Sequence, residues 1–154
     1  MRPPEEEQKT RVLFVCIGNS CRSQMAEGFA RAYGSDAVIP ASAGLSPAFG
    51  VAPDTLRAMH EKNVDLRDQF PKSIQHLGRS QFDVVVNMCG RTMPKIPGAK
   101  LIEWDVPDPV TMDYKSHCEV RDQIETLVMR LVMDLRHQQQ QARFRGQGSG
   151  HFPV

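Results

Sequence analysis

The chain has 154 residues and a mass of 17.3 kDa, enough for one domain, and its 40% hydrophobic and 24% charged residues permit a packed core and exclude wholesale disorder. Nineteen Lys and Arg stand against 18 Asp and Glu, a net charge of +1. Setting both polar ends aside leaves the centre neutral, so no bulk electrostatic pull towards nucleic acid or an anionic membrane exists, and an anion site has to come from local geometry.

No segment approaches the length of a membrane span, and the opening Met1 to Glu7 has no apolar region after Arg2. A cytoplasmic, reducing address is therefore expected, with Cys16, Cys21, Cys89 and Cys118 as thiols at rest.

In chain order, residues 1–10 are polar and rich in Pro and Glu and read as a flexible N-terminal arm. Arg11 to Ile17 is a short β-branched apolar run, the pattern of a strand buried on both faces, and Gly18-Asn19-Ser20 ends it. Met25, Phe29, Ala30 and Tyr33 recur at helical spacing before a stop at Gly34. Val38 and Ile39 begin a second strand that ends in Ala41-Ser42-Ala43-Gly44, and 45–52 reads as loop.

Pro53-Asp54 opens a helix on which Leu56, Met59 and Asn63 are expected to share a face, and Pro71-Lys72-Ser73 starts a short one through Leu77. Phe82 to Met88 is a further buried-strand run, 91–98 is loop, and Leu101-Ile102 makes a short last strand. Val106-Pro107-Asp108-Pro109 fits neither helix nor central strand. Val120, Ile124, Leu127, Val128, Leu131 and Leu135 then form one apolar helical stripe. The glutamine run and Gly-rich end, residues 137–154, read as a disordered tail. Strands alternating with helices predict a three-layer α/β domain over 11–136 with a parallel sheet.

Chemistry concentrates in Val15 to Gln24, a strand end, a tight polar loop and a helix start. Ligands of open α/β sheets collect at such carboxyl ends of strands. The main-chain N–H groups of Ile17, Gly18, Asn19, Ser20, Cys21 and Arg22 are placed to form one concavity, reinforced by the positive end of the helix dipole. Gly18 is expected to permit a turn that a side chain would obstruct. Cys16 stands where that concavity stabilises a thiolate. Arg22 offers a planar fork to a tetrahedral oxyanion, and Ser23 a hydroxyl to the sulfur. The combination suits in-line attack of sulfur on phosphorus or arsenic, the equatorial oxygens staying bound.

Cys16 to Ser23 resembles the phosphate-binding loop of the low-molecular-weight protein tyrosine phosphatases, and Gln24 to Gly28 extends the likeness towards the arsenate reductases built on the same scaffold. Ser42-Ala43-Gly44, the strand ending at Cys89 and Asp108-Pro109 resemble further motifs of the family, over about Val12 to Arg136. The resemblance implies a central four-stranded parallel sheet with the phosphate-binding loop between strand 1 and helix 1, and no metal or organic cofactor. It implies Cys16 as nucleophile, Arg22 as oxyanion ligand, Asn19 and Ser42 as loop-shaping partners, and Ser23 as support for the thiolate. Asp108 would be the acid that protonates the leaving oxygen and then activates water. Asp105 is a rival acid, Asp113 a weaker one.

Two activities share the first step. A hydrolase of phosphomonoesters, phosphotyrosine proteins being one candidate class, needs the acid, a water and a wall for the leaving group; Phe49 is a candidate aromatic wall. An arsenate reductase needs a second thiol, and then thioredoxin or a small-molecule thiol to recycle it. Cys89 falls where the reductases keep that second thiol, but Met93 stands before Pro94 where a third cysteine is expected. The complete set Cys16, Arg22 and Asp108 beside an incomplete thiol relay places phosphomonoester hydrolysis first and arsenate reduction second. Cys21 is a further redox candidate, since a Cys16–Cys21 disulfide would shield the nucleophile from over-oxidation. His117 and Cys118 read as solvated residues at the start of the last helix.

Overall fold

A computed structural model describes residues 8–78 and 80–150. The elements are β1 (Thr10–Cys16), α1 (Arg22–Gly34), β2 (Val38–Gly44), α2 (Pro53–His60), β3 (Val84–Asn87), β4 (Lys100–Glu103) and α3 (Tyr114–Gly150), with one 3-10 turn at Gln75–Leu77. The four strands form one parallel sheet in the order β2-β1-β3-β4. β1 is thus central, and Cys16, at its carboxyl end, pairs in register with Gly44 at the end of β2.

The strand period of two divides the core. Val12, Phe14 and Cys16 face a cluster with Met25, Phe29, Met59, Ile124, Val128 and Val132 from the three helices. Leu13 and Val15 face the other way, against Phe82 and Val85, where Ile74, Leu77, Met93 and Ile96 complete a thinner layer built from the 3-10 turn and loops. The α/β architecture with its four-stranded parallel sheet is the one the sequence predicts. The stripe on α3 buries Val120, Ile124, Val128, Leu131 and Leu135.

Several local expectations are corrected. α2 ends at His60, and Asn63 lies beyond it at φ 59°, so the face it buries is Thr55, Ala58 and Met59 rather than Leu56, Met59 and Asn63. The segment from Pro71 does not coil at its start, because Gly44 N–H bonds Lys72 O and Ser73 bridges to Gly44; the short helix is the single 3-10 turn Gln75–Leu77. α3 does not stop at Arg136 but runs through the glutamines to Gly150. Gln139 holds it to the sheet, its amide donating to Thr10 Oγ1 at 3.0 Å and Ala37 O at 2.9 Å. At the other end Thr10 already belongs to β1; residues 1–7 of the expected arm and 151–154 of the expected tail lie outside the described residues. Among the described residues no helix is long and apolar enough to cross a membrane.

Candidate active site

The turn between β1 and α1 is shaped by Asn19, not by Gly18. Asn19 takes the left-handed conformation (φ 49°), which its short side chain tolerates. A Cβ on Gly18 would meet nothing closer than 3.5 Å, so the expected steric need for glycine there is absent. The crowded glycine is Gly44, where a Cβ would lie 2.7 Å from Ile17 O and 2.9 Å from Asn19 N. The end of β2 therefore passes directly against the loop backbone.

Buried Asn19 is fully engaged. Its Nδ2 donates to Ser23 Oγ (2.6 Å), its Oδ1 accepts from Lys72 N (3.0 Å), and its carbonyl accepts from Gln24 Nε2 (2.9 Å). Ser23 Oγ then lies 2.9 Å from Cys16 Sγ. When Cys16 is a thiolate, the hydroxyl is the donor of that bond, since the sulfur has no proton left to give. Ser42, expected to brace this loop, donates instead to Glu27 Oε1 on α1 (2.6 Å), and Glu27 also pairs with Arg31 at 2.8 Å.

Arg22 opens α1 and is buried. Its Nη1 donates to Met88 O (2.5 Å) and Val106 O (3.0 Å), the ends of two other segments. Its Nε is buried without a hydrogen-bond partner among the described residues. A guanidinium so fixed, with an unused donor beside the free N–H groups of a helix start, is suited to a tetrahedral oxyanion.

Of the candidate acids, Asp108 reaches the site: its Oδ2 lies 3.6 Å from Arg22 Nη2, while Oδ1 accepts from Val110 N at 3.1 Å. Asp105 meets Gln123 through its main-chain carbonyl. Asp113 is spent at the start of α3, where the Ser116 N–H on its Oδ1 (2.8 Å) holds its carboxyl below the usual carboxylate range.

The other thiols differ in setting. Cys21 is buried, and burial pushes its thiol up, against the downward pull of hydrogen bonds from Thr55 and Ser20. Cys89 lies two residues beyond β3, next to Met88, which supplies a carbonyl that holds Arg22. It is buried, and its single S–H proton faces two acceptors, Asn87 Oδ1 at 2.7 Å and Arg91 O at 3.1 Å from Sγ. Met93 packs on the cluster of Leu13 and Val15, the sheet face opposite Cys16. Phe49 is fully exposed, so it is not folded onto the core. Its loop is laced along the phosphate-binding loop by bonds from Leu45 N to Cys16 O, Ser46 N to Ile17 O, Ala48 N to Gly18 O and Ala52 N to Ser20 O. Among the described residues no cluster of three or more His, Cys, Asp or Glu is arranged to hold a metal ion.

His117 is not the solvated helix residue that the sequence suggests. It is buried, with Nε2 2.8 Å from Thr55 Oγ1 and Nδ1 3.2 Å from Pro109 O.

Residues 11–141 match the model of the family described as low molecular weight phosphotyrosine protein phosphatase. The chain belongs to that family. Within it, the chain is 37% identical over 124 residues to arsenate reductase 1 of Bacillus cereus (strain ATCC 10987 / NRS 248), covering 77% of this chain and 90% of that one. Among solved structures it is similar to an arsenate reductase in the phosphate-binding state, with 32% identity, a TM-score of 0.74, and coverage of 82% of this chain and 98% of that one. It is also similar to an arginine phosphatase from Geobacillus stearothermophilus, with 25% identity, a TM-score of 0.74, and coverage of 86% and 96%. Named reductases are prominent among the similar proteins, with phosphatases on the same scaffold beside them, which favours the second of the two readings the sequence suggests over the first.

Proposed function

We propose that this member of the low-molecular-weight phosphatase family is an arsenate reductase working through Cys16 and Cys89, in a reducing, cytoplasmic setting. The observation that carries the reading is the second buried thiol, Cys89, two residues past the end of β3, the strand next to β1, and one residue beyond a carbonyl that holds Arg22. The similarity to named reductases supports it.

Arsenate binds with its oxygens on the loop N–H groups of Ile17 to Arg22 and on the Arg22 fork. The Cys16 thiolate, supported by Ser23, attacks As(V); an As–S bond forms, and the displaced oxygen leaves as water after taking a proton from Asp108. Cys89 then gives its proton to solvent and, as the thiolate, attacks Cys16 Sγ. The S–S bond forms, the As–S bond breaks, and its electron pair stays on arsenic, which departs as As(III) arsenite. Because Met93 cannot exchange thiols, an external dithiol such as thioredoxin, or a small-molecule thiol, has to reduce the Cys16–Cys89 disulfide directly.

Phosphomonoester hydrolysis is a second reading, favoured by the approach of Asp108 to Arg22 at 3.6 Å. Here the same sulfur attacks phosphorus, Asp108 protonates the leaving oxygen, and its carboxylate then activates water against the cysteinyl-phosphate. Phe49 at the rim of the loop is the candidate wall for an aryl group.

Paired assays on one preparation decide the order: arsenate reduction with thioredoxin or a small thiol, and hydrolysis of p-nitrophenyl phosphate. Cys16→Ser is expected to abolish both, and Cys89→Ser to abolish reduction while sparing hydrolysis. Full arsenate reduction by Cys89→Ser would overturn the reductase assignment.

A further inference from the structure

Asp108 sits between two main-chain carbonyls, each held by a buried side chain. On one side Val106 O accepts from Arg22 Nη1 at 3.0 Å. On the other, Pro109 O accepts from Met112 N at 3.0 Å and, on its second lone pair, from His117 Nδ1 at 3.2 Å. Pro107 and Pro109 stiffen the stretch between these two anchors. The Asp108 side chain itself is 41% exposed, so packing does little to place it, and the backbone anchors carry that task.

The second anchor is joined to the phosphate-binding loop. A carbonyl can only accept, so Nδ1 of His117 carries a proton. Nε2 meets the Thr55 hydroxyl at 2.8 Å, and a hydroxyl both donates and accepts, so this bond is made whichever tautomer or charge the ring holds. Thr55 stands in the first turn of α2, and the residue that opens that helix, Ala52, donates its N–H to Ser20 O of the phosphate-binding loop at 3.0 Å. A connection thus runs from Ser20 of the oxyanion loop through the start of α2, Thr55 and His117 on α3 to Pro109, the residue after Asp108.

We propose that His117 is a positioning residue for Asp108, its two ring nitrogens tying the acid's loop at Pro109 to Thr55 and so to the phosphate-binding loop. The inference deepens the function proposed above and rests on Asp108 being the acid there. His117 does not touch the oxyanion; it acts through the Pro109 carbonyl on the place from which a proton reaches the departing oxygen. Oxyanion binding itself, built from the loop N–H groups and Arg22, is left independent of it.

The test uses the full chain with His117→Phe, His117→Asn and Asp108→Asn. Phe preserves a ring of similar volume and loses both bonds; Asn leaves space but returns an N–H donor near the Nδ1 position. Turnover is followed on p-nitrophenyl phosphate and on phenyl phosphate, whose poorer leaving group depends more on the acid. Inorganic phosphate is the binding probe, read as a competitive inhibitor, and single-turnover arsenate reduction is followed alongside.

His117→Phe is expected to slow phenyl phosphate turnover about tenfold and p-nitrophenyl phosphate much less. Phosphate inhibition should stay unchanged, and His117→Asn should recover most of the loss. Arsenate turnover should follow the same order of variants, since the departing hydroxide needs the same proton. In the Asp108→Asn background, His117→Phe should add nothing further. Equal slowing on both esters, His117→Asn worse than His117→Phe, or losses that multiply with Asp108→Asn would each overturn the positioning role and leave packing as the role of His117. If Asp108→Asn alone slows neither reaction, the acid assignment falls first.

Discussion

Arg22 and Asp108 face each other across the mouth of the site, with Nη2 3.6 Å from Oδ2, the guanidinium side 5% and the carboxylate side 41% exposed. The distance is longer than those Arg22 makes to Met88 O and Val106 O, so the two carbonyls, not the acid, hold the fork in place. A lysine ammonium is a point charge and cannot bond both carbonyls while keeping a planar pair of donors for an oxyanion. Arg22→Lys is therefore expected to lower kcat/KM about 10²–10³-fold for arsenate and for aryl phosphates alike. Inorganic phosphate should also inhibit more weakly. An inhibition constant unchanged from wild type would show that the fork does not bind the oxyanion.

Asp108→Asn separates binding from proton transfer. Removing a negative charge beside an incoming dianion favours binding, while removing the acid slows departure of the oxygen. Phosphate inhibition is expected to tighten or stay level, and kcat on phenyl phosphate to fall about 10²-fold or more. Weaker phosphate inhibition with an unaltered kcat would assign Asp108 to binding instead. The signs are opposite for the two readouts, so one set of initial-rate measurements at several phosphate concentrations resolves them.

How far the sequence carries depends on whether a feature is local. The sheet strands and α1 are legible as apolar runs and helical spacing, and Cys16, Asn19, Arg22 and Ser23 meet because one strand–loop–helix segment carries all four. Asp108 was legible only through the resemblance, since nothing in its own neighbourhood says that Val106 O will fold onto Arg22. His117 was misread for the same reason. Its helix neighbours Ser116, Cys118 and Glu119 are polar, and its burial comes from Thr55 and Pro109, distant in sequence or beyond a turn. Ser42 points to Glu27 because parallel pairing sets β2 beside α1's carboxylate, a relation between elements rather than a motif. The apolar stripe of α3 ends at Leu135, so periodicity gives no sign that Gln139 continues the helix through bonds to Thr10 and Ala37.

Gly44→Ala tests the close passage of β2 against the phosphate-binding loop. The atoms that a Cβ would meet, Ile17 O and Asn19 N, are both backbone, so no flexible side chain can yield. The loop has to shift, and with it the N–H groups of Ile17 to Arg22. Melting temperature is expected to fall by several degrees, about 2–4 °C for each kcal/mol of strain in a chain of this size. Phosphate inhibition should weaken in parallel. Gly18→Ala is the matched control, since its Cβ meets only ordinary contacts, and it should leave the melting temperature within about 1 °C. Equal effects at the two positions would mean that the backbone approach at Gly44 is not what the loop depends on.

Arg136 clamps α3 to the turn after α1, donating from Nε to Asp36 Oδ2 (2.8 Å) and from Nη2 to Asp36 Oδ1 (2.7 Å) and Tyr33 O (2.8 Å). The hydrogen bonds from Arg136 hold the Asp36 carboxyl below its usual range. A carboxylate depressed in the folded state adds stability that is complete above the unfolded value, about 3.9, and is lost as pH falls through the folded one. Both side chains are substantially exposed, so the effect is small and screened by salt. Asp36→Asn is expected to melt about 1–2 °C below wild type at neutral pH. The gap should narrow progressively below about pH 4 and shrink in high salt at neutral pH. A gap of constant size from pH 7 down to the acid limit would show that the pair contributes shape alone and that its ionisation is not linked to folding.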